Sequence, residues 1–128
     1  MKYLFTTIIL MLTLHVTAQI NQPDLSPRIE IKQHVGLVNV ELNYSQPNRR
    51  SRTIFGSLIP FGKVWRTGAN MSTKITFDKE VNLANHIIPK GNYALYTIPE
   101  QNEWTITIHK NDSLWGSNGY DKENDLVR

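Results

Sequence analysis

The sequence predicts an all-β fold: an antiparallel β-sandwich or a partly open barrel, with an irregular apolar connection across one end. Three observations predict it. Several short segments alternate apolar and polar residues, as strands with one buried face do. Gly, Pro and Asn residues separate these segments at turn positions. Between them lies one apolar stretch, residues 53–65, that has neither the alternation of a strand nor a helix of useful length.

The first alternating segment, from Arg28 to Tyr44, predicts two half-buried strands. Its apolar residues change parity at Gly36, which predicts a tight turn there. The apolar residues are Ile29, Ile31 and Val35 before the turn, and Val38, Val40, Leu42 and Tyr44 after it. Residues 45–52 then form a predicted polar loop around Pro47.

The connection after that loop is strongly apolar although Gly56, Pro60 and Gly62 interrupt it. An apolar and irregular segment of this length is usually packed against a core and not free in solvent. We therefore expect residues 54–70 to lie across one end of the sheet.

The remaining strands follow in the second half of the chain. Residues 73–77 alternate, and residues 81–83 are predicted to form a short strand paired with them. Residues 92–98 and 103–109 form the clearest hairpin, because the intervening residues 99–102 suit a type I turn. The last part of the chain is polar and rich in turn residues.

Residues 1–18 have the layout of a secretory signal peptide, with a charged start, an apolar run, and small Val16 and Ala18 before the expected cut. The run is shorter than the roughly 20 apolar residues that span a bilayer, which disfavours a membrane anchor. Cleavage leaves an extended arm, residues 19–27, and a single β-rich domain, residues 28–128. We expect this product in the periplasm or outside the cell, with no stable membrane insertion.

Composition excludes several classes of protein. The chain has no cysteine, so disulfides, thiolate metal sites and a cysteine nucleophile are impossible. Its 14 basic and 11 acidic residues give a formal net charge of +3, which is too small to predict a nucleic-acid partner. The basic cluster of Arg49, Arg50 and Arg52 fits a surface loop as well as it fits an anionic partner.

We expect no metal site and no cofactor. His34, His86 and His109 lack the paired spacing of zinc ligands. The alternating acidic residues of 121–125 resemble a calcium loop, but the glycine and the later bidentate glutamate of such a loop are missing.

Several motifs, taken together, carry a resemblance to a known family. They are Tyr44-Ser45-x-Pro47, Ile54-Phe55-Gly56, the block from Pro60 to Asn70, Pro89-x-Gly91-x-Tyr93, Ile98-Pro99 with Trp104, Trp115-Gly116, and Asp125-Leu126-Val127-Arg128. This set resembles the bacterial secreted family called domain of unknown function 2911. The resemblance implies a β-rich exported domain and no assigned chemistry. Members of that family continue past the last motif, so we expect a C-terminally truncated domain with an exposed sheet edge.

Arg66 is the first candidate for a functional residue. Its neighbours, Trp65 on one side and a small-residue pair on the other, predict that it is half buried. A buried guanidinium without a partner would be strongly unfavourable, so Arg66 needs one. The partner is either an internal carboxylate such as Glu41 or Asp78, or an anionic or hydroxyl-rich ligand.

The candidate ligand-binding residues are Trp65, Arg66, Gly68, Asn70 and Tyr44. Gly68 allows close backbone approach and Asn70 offers an amide. Trp65 by itself fits a buried core position better than a platform for a sugar ring.

Two functions remain open. The leading one is a non-catalytic binding or structural module of the cell envelope for a carbohydrate-like or anionic ligand. The alternative is a small cell-envelope hydrolase, for which no catalytic residue can be assigned. Ser45, Ser57 and Ser72 stand beside no obvious base, and no Gly-x-Ser-x-Gly motif is present. The oligomeric state also stays open, although an exposed edge strand favours dimerisation.

Overall fold

The computed structural model describes residues 22–128, so the predicted signal peptide, residues 1–18, lies outside the described residues. The strands are β1 (Arg28–Val35), β2 (Val38–Ser45), β3 (Ala69–Phe77), β4 (Val81–Leu83), β5 (His86–Ile88), β6 (Gly91–Pro99), β7 (Trp104–His109) and β8 (Asp125–Val127). One 3-10 helix turn, Lys122–Asn124, precedes the last strand.

Six strands form one sheet in the order β1-β2-β3-β6-β7-β8, and every neighbouring pair is antiparallel. Among residues 22–128, strands β4 and β5 pair only with each other, in a separate two-stranded sheet. The predicted all-β class is confirmed, and the larger sheet remains open and does not close into a barrel.

The register sorts the side chains of the large sheet into two faces, because successive residues of a strand point to opposite sides. The first, which we term the apolar face, is lined by Ile29, Ile31, Val35, Val38, Val40, Leu42, Tyr44, Ile75, Phe77, Tyr93, Leu95, Ile106 and Ile108. The second, the charged face, has Lys32 opposite Glu41 and Asn43 opposite Lys74 on its β1–β3 side.

The hydrophobic core lies where the β4–β5 hairpin covers part of the apolar face. Ile88 of β5 is fully buried against Phe77, Tyr93 and Ile108. The Tyr93 hydroxyl donates a 2.8 Å hydrogen bond to the carbonyl of Pro89, which ties the end of the hairpin to β6. The rest of the apolar face is only partly covered within the described residues.

The hairpin corrects one prediction, since residues 81–83 were expected to pair with β3 and instead pair with β5. The turn between β4 and β5 explains this pairing. Ala84 and Asn85 both have positive φ, 49° and 63°. Two such residues make the type of tight turn that folds a strand directly back on the next one.

A segment that the sequence did not predict to be ordered, residues 110–125, covers the β6–β7 part of the charged face. Tyr96 is fully buried under it and donates a 3.1 Å hydrogen bond to the carbonyl of Gly116. Its ring meets the rings of His109 and Tyr120 edge-on, with centroids 5.6 Å and 5.0 Å away. Buried aromatic packing therefore holds this segment to the sheet.

His109 fixes both ends of the same segment. Its Nδ1 lies 3.1 Å from both the backbone nitrogen and the carbonyl oxygen of Asn111, and its Nε2 lies 3.1 Å from the carbonyl oxygen of Asp121. The imidazole is thus committed to the backbone of its own chain.

Asp78 and Asn39 join the ends of β2 and β3. The Asp78 carboxylate accepts bonds of 2.6 Å from the Asn39 amide and 2.7 Å from the Asn39 backbone N–H. These two bonds, the side-chain bond first, lower the pKa of Asp78 below its usual value of about 3.9. The stability that this contact contributes is present above that usual value and is lost as the pH falls through the lowered pKa.

Replacing Asn39 should therefore move the Asp78 titration. In Asn39→Ala we expect the Asp78 pKa, measured by NMR, to rise toward the usual value. The difference in unfolding free energy between wild type and variant should shrink as the pH is lowered below about 4. An Asp78 titration that is the same in both proteins would contradict the assignment.

Among residues 22–128, no helix has the length and apolar content needed to cross a membrane.

Candidate functional site

A cavity of about 630 Å³ lies at the end of the sheet where β2 finishes and β3 begins. Its walls come from Ser26 before β1, the loop after β2, the irregular connection between β2 and β3, and Ser117. The connection predicted to cross one end of the sheet thus forms much of this wall. This connection is only partly packed against the rest of the domain, as the exposure of Phe55 and Leu58, 40% and 53%, shows.

The cavity wall is cationic. Arg49, Arg52, Lys63 and Arg66 all contribute to it, and the lining contains no Asp, Glu or His. The ion pairs found within residues 22–128 use other cations, namely Lys32, Lys74 and Arg128. Within residues 22–128 the cavity lining thus holds four cationic residues and no carboxylate to balance them, which favours an anion in the cavity.

Arg49 and Arg52 hold each other in place through the backbone. The Nε of each donates a 3.0 Å hydrogen bond to the carbonyl of the other, and Arg52 also donates to the Asn48 carbonyl at 2.8 Å. Arg50 and Ser51 between them have positive φ, 49° and 59°, which makes the tight loop. The terminal nitrogens of Arg49 make no hydrogen bond to the described residues and can bind a ligand.

Arg66 has no carboxylate partner in the described part of the chain. Its Nε is buried without a hydrogen-bond partner, and its Nη1 lies against Gly116, where a Cβ atom would come within 3.2 Å. The two internal partners considered from the sequence are occupied elsewhere, since Glu41 pairs with Lys32 and Asp78 accepts from Asn39. The internal ion pair with either acid is therefore absent.

Trp65 lines the cavity, and its indole N–H is hydrogen-bonded within the chain. Its Nε1 donates a 3.1 Å hydrogen bond to the Gly68 carbonyl, and its backbone bridges to Thr97 of β6. Phe55 and Trp104 contact it edge-on, with ring centroids 5.9 Å and 6.3 Å away. These contacts fix the indole plane, as a stacking platform requires.

Gly68 lines the cavity, but the atoms that its missing side chain allows to come close belong to β2 and β3 and not to a ligand. A Cβ atom there would lie 3.0 Å from the Ser45 carbonyl oxygen and 3.1 Å from the Thr73 hydroxyl. Glycine is needed at this position because β2 passes so near.

The structure brings three of the five predicted site residues together, since Trp65, Arg66 and Gly68 line one cavity. Tyr44 and Asn70 lie outside this lining, and the Asn70 amide donates a 3.4 Å hydrogen bond to the Ser45 hydroxyl.

The sequence prediction of the site left out Arg49, Arg52 and Lys63. The arginine cluster itself was visible in the sequence as a local run of positive charge. That Arg49 and Arg52 line the same cavity as Arg66 was not visible, because an irregular connection with no periodicity separates them.

No group of three or more potential metal-ligating side chains occurs within residues 22–128. Two of the three acidic residues of the calcium-like segment have structural partners. Asp121 caps the 3-10 helix, and Asp125 accepts hydrogen bonds from Tyr120 and Arg128.

A family model with the description "Protein of unknown function (DUF2911)" matches residues 26–128. Comparison with curated proteins found no match, and comparison with solved structures found none.

Proposed function

We propose a function for this chain, which belongs to the family "Protein of unknown function (DUF2911)". The chain is a non-catalytic binding module for an anionic, carbohydrate-like ligand. The ligand would occupy the cavity at the end of the sheet. The observation that carries the proposal is Arg66, a half-buried guanidinium that has no carboxylate partner among residues 22–128 and lines a cavity in which these residues place no acidic group.

The positive charge of the cavity wall supports an anionic ligand. Arginine binds carboxylate, sulfate and phosphate groups through paired N–H donors, and such charge-assisted bonds are among the strongest polar contacts. Arg49 and Arg52 are already fixed by the backbone, so little side-chain freedom is lost when they bind.

The aromatic ring and the apolar side chains of the cavity wall support a sugar as the ligand. The Trp65 ring is held by Phe55 and Trp104, and the wall also includes Ile54 and Pro60. An aromatic face beside cationic groups suits an acidic sugar, which has both an apolar ring face and a carboxylate.

The lining supports binding over turnover. Hydrolysis of a glycosidic or ester bond needs a general base that activates water, or a nucleophile that is activated by a neighbouring general base. The cavity offers Ser26 and Ser117, and its lining has no His, Asp or Glu to activate them.

The proposal is tested with a matched pair of probes, a galacturonate trisaccharide and a neutral galactose trisaccharide. We expect the acidic probe to shift the NMR signals of the Trp65 indole N–H and of the arginine side chains that line the cavity, while the neutral probe binds at least about tenfold more weakly. Equal binding of both probes, or shifts that map away from the cavity, would refute the proposal.

We further propose that the module acts in the periplasm or outside the cell. The layout of residues 1–18 supports this location. Mass spectrometry of the protein recovered after secretion should give Gln19 as its N-terminus.

A further inference from the structure

The segment that covers the β6–β7 part of the charged face also contacts Arg66. Gly116 of this segment is buried, and the next residue, Ser117, lines the cavity. A Cβ atom at Gly116 would lie 3.2 Å from Nη1, 3.7 Å from Cδ and 3.8 Å from Cζ of Arg66. Because Gly116 has no side chain, the guanidinium has room to lie against its backbone.

We propose that Gly116 is a positioning residue for ligand binding, which holds the Arg66 guanidinium where it meets the anion. This inference rests on the proposed function. Arg66 has no carboxylate partner among residues 22–128, and its buried Nε has no hydrogen-bond partner there. Packing must therefore set the position of the guanidinium, and Gly116 is the backbone against which it packs.

The position of Gly116 is itself fixed by the large sheet. The Tyr96 hydroxyl of β6 donates a 3.1 Å hydrogen bond to the Gly116 carbonyl. The Ser72 backbone N–H of β3 donates a 3.2 Å hydrogen bond to the Leu114 carbonyl, two residues earlier. Both donors belong to residues that are buried in the sheet. An arginine that packs against so well-fixed a backbone loses less freedom when it binds, which increases affinity.

Alanine at Gly116 would have two effects, and a second glycine separates them. Gly116 has a φ of 66°, so any side chain there strains the backbone as well as displacing Arg66. Gly119, in the same segment, has a similar φ of 76°, but a Cβ atom there would meet only Leu114, at an ordinary contact distance of 3.6 Å. Gly119→Ala therefore adds the strain without the displacement.

The test compares Gly116→Ala with Gly119→Ala in the secreted protein. The NMR signal of the Arg66 Nε–H group, identified by its loss in Arg66→Met, reports the arginine in the protein without ligand. Calorimetry with the galacturonate trisaccharide reports affinity. We expect Gly116→Ala to shift the Arg66 signal and to weaken binding about tenfold. Gly119→Ala should leave the Arg66 signal and the affinity at their wild-type values.

Tyr96→Phe is a second variant, which decides the question if Gly116→Ala does not fold. It frees the Gly116 carbonyl without altering a residue of the cavity lining. We expect it to shift the Arg66 signal and to weaken binding about threefold.

The inference is overturned if the folded variants keep either the wild-type Arg66 signal or the wild-type affinity, or if Gly119→Ala weakens binding as much as Gly116→Ala does. Failure of the proposed function looks different, because the wild-type protein itself would then not bind the trisaccharide. The Arg66 signal of the protein without ligand would still show whether Gly116 positions this arginine.

Discussion

Tyr96→Ala is expected to lower the free energy of unfolding by about 4 kcal/mol, the typical cost of removing a fully buried aromatic side chain. The ring of Tyr96 is completely buried between the sheet and residues 110–125, in contact with His109 and Tyr120. Its loss leaves a cavity beneath that segment and frees the carbonyl of Gly116. In a domain of this size the melting temperature should fall by roughly 15–20 °C.

Tyr96→Phe is the matched control, because it keeps the ring and removes only the hydroxyl. We expect a loss of about 1 kcal/mol, the contribution of one buried hydrogen bond. Urea unfolding of the three proteins measures both effects. If the alanine and phenylalanine variants lost the same stability, the contribution of ring packing would be refuted.

Arg66→Met should weaken binding of the galacturonate trisaccharide by about 30-fold while changing the free energy of unfolding by less than about 1 kcal/mol. The loss of affinity follows from removing charge-assisted hydrogen bonds to the ligand. The small effect on stability follows because Arg66 has no carboxylate partner in the described part of the chain. Methionine retains an unbranched side chain to pack against Gly116.

Lys74→Met is the control for Arg66→Met, since it removes one positive charge from a half-buried side chain outside the cavity. Lys74 pairs with Asp112 at 3.2 Å, and neither residue lines the cavity. Calorimetry should give wild-type affinity for this variant. Severe destabilisation by Arg66→Met with unchanged sugar affinity would instead assign Arg66 a purely structural role.

The sequence predicted well those strands whose side chains alternate between one apolar and one polar face. The β1–β2 hairpin and the β6–β7 hairpin lie where alternation and turn residues placed them. The pairing of β4 was wrong because two positive-φ residues, Ala84 and Asn85, made a local hairpin more favourable than extension of the large sheet. Such a turn has no glycine to signal it.

Strand β8 and the packing of residues 110–125 could not be read from the sequence. This segment is polar, and it is held by the Tyr96 ring and by hydrogen bonds of Tyr96 and His109 to its backbone, and not by an alternating apolar pattern. The candidate site likewise has a part that could be predicted from local sequence and a part that could not. Trp65, Arg66 and Gly68 are close in sequence and were predicted together, whereas Arg49 and Arg52 reach the cavity only through tertiary folding.

The order of the strands has a consequence for how the molecule moves. Neighbours in the large sheet are consecutive strands of the chain, except that the β4–β5 hairpin lies between β3 and β6. The cavity instead joins Ser26, residues 47–69 and Ser117. Its irregular wall has few ladder hydrogen bonds, so its amides should exchange with solvent through local opening while those of β6 and β7 stay protected. A bound ligand would then hold the irregular cavity wall, where local opening is easiest, closed against the protected strands β6 and β7.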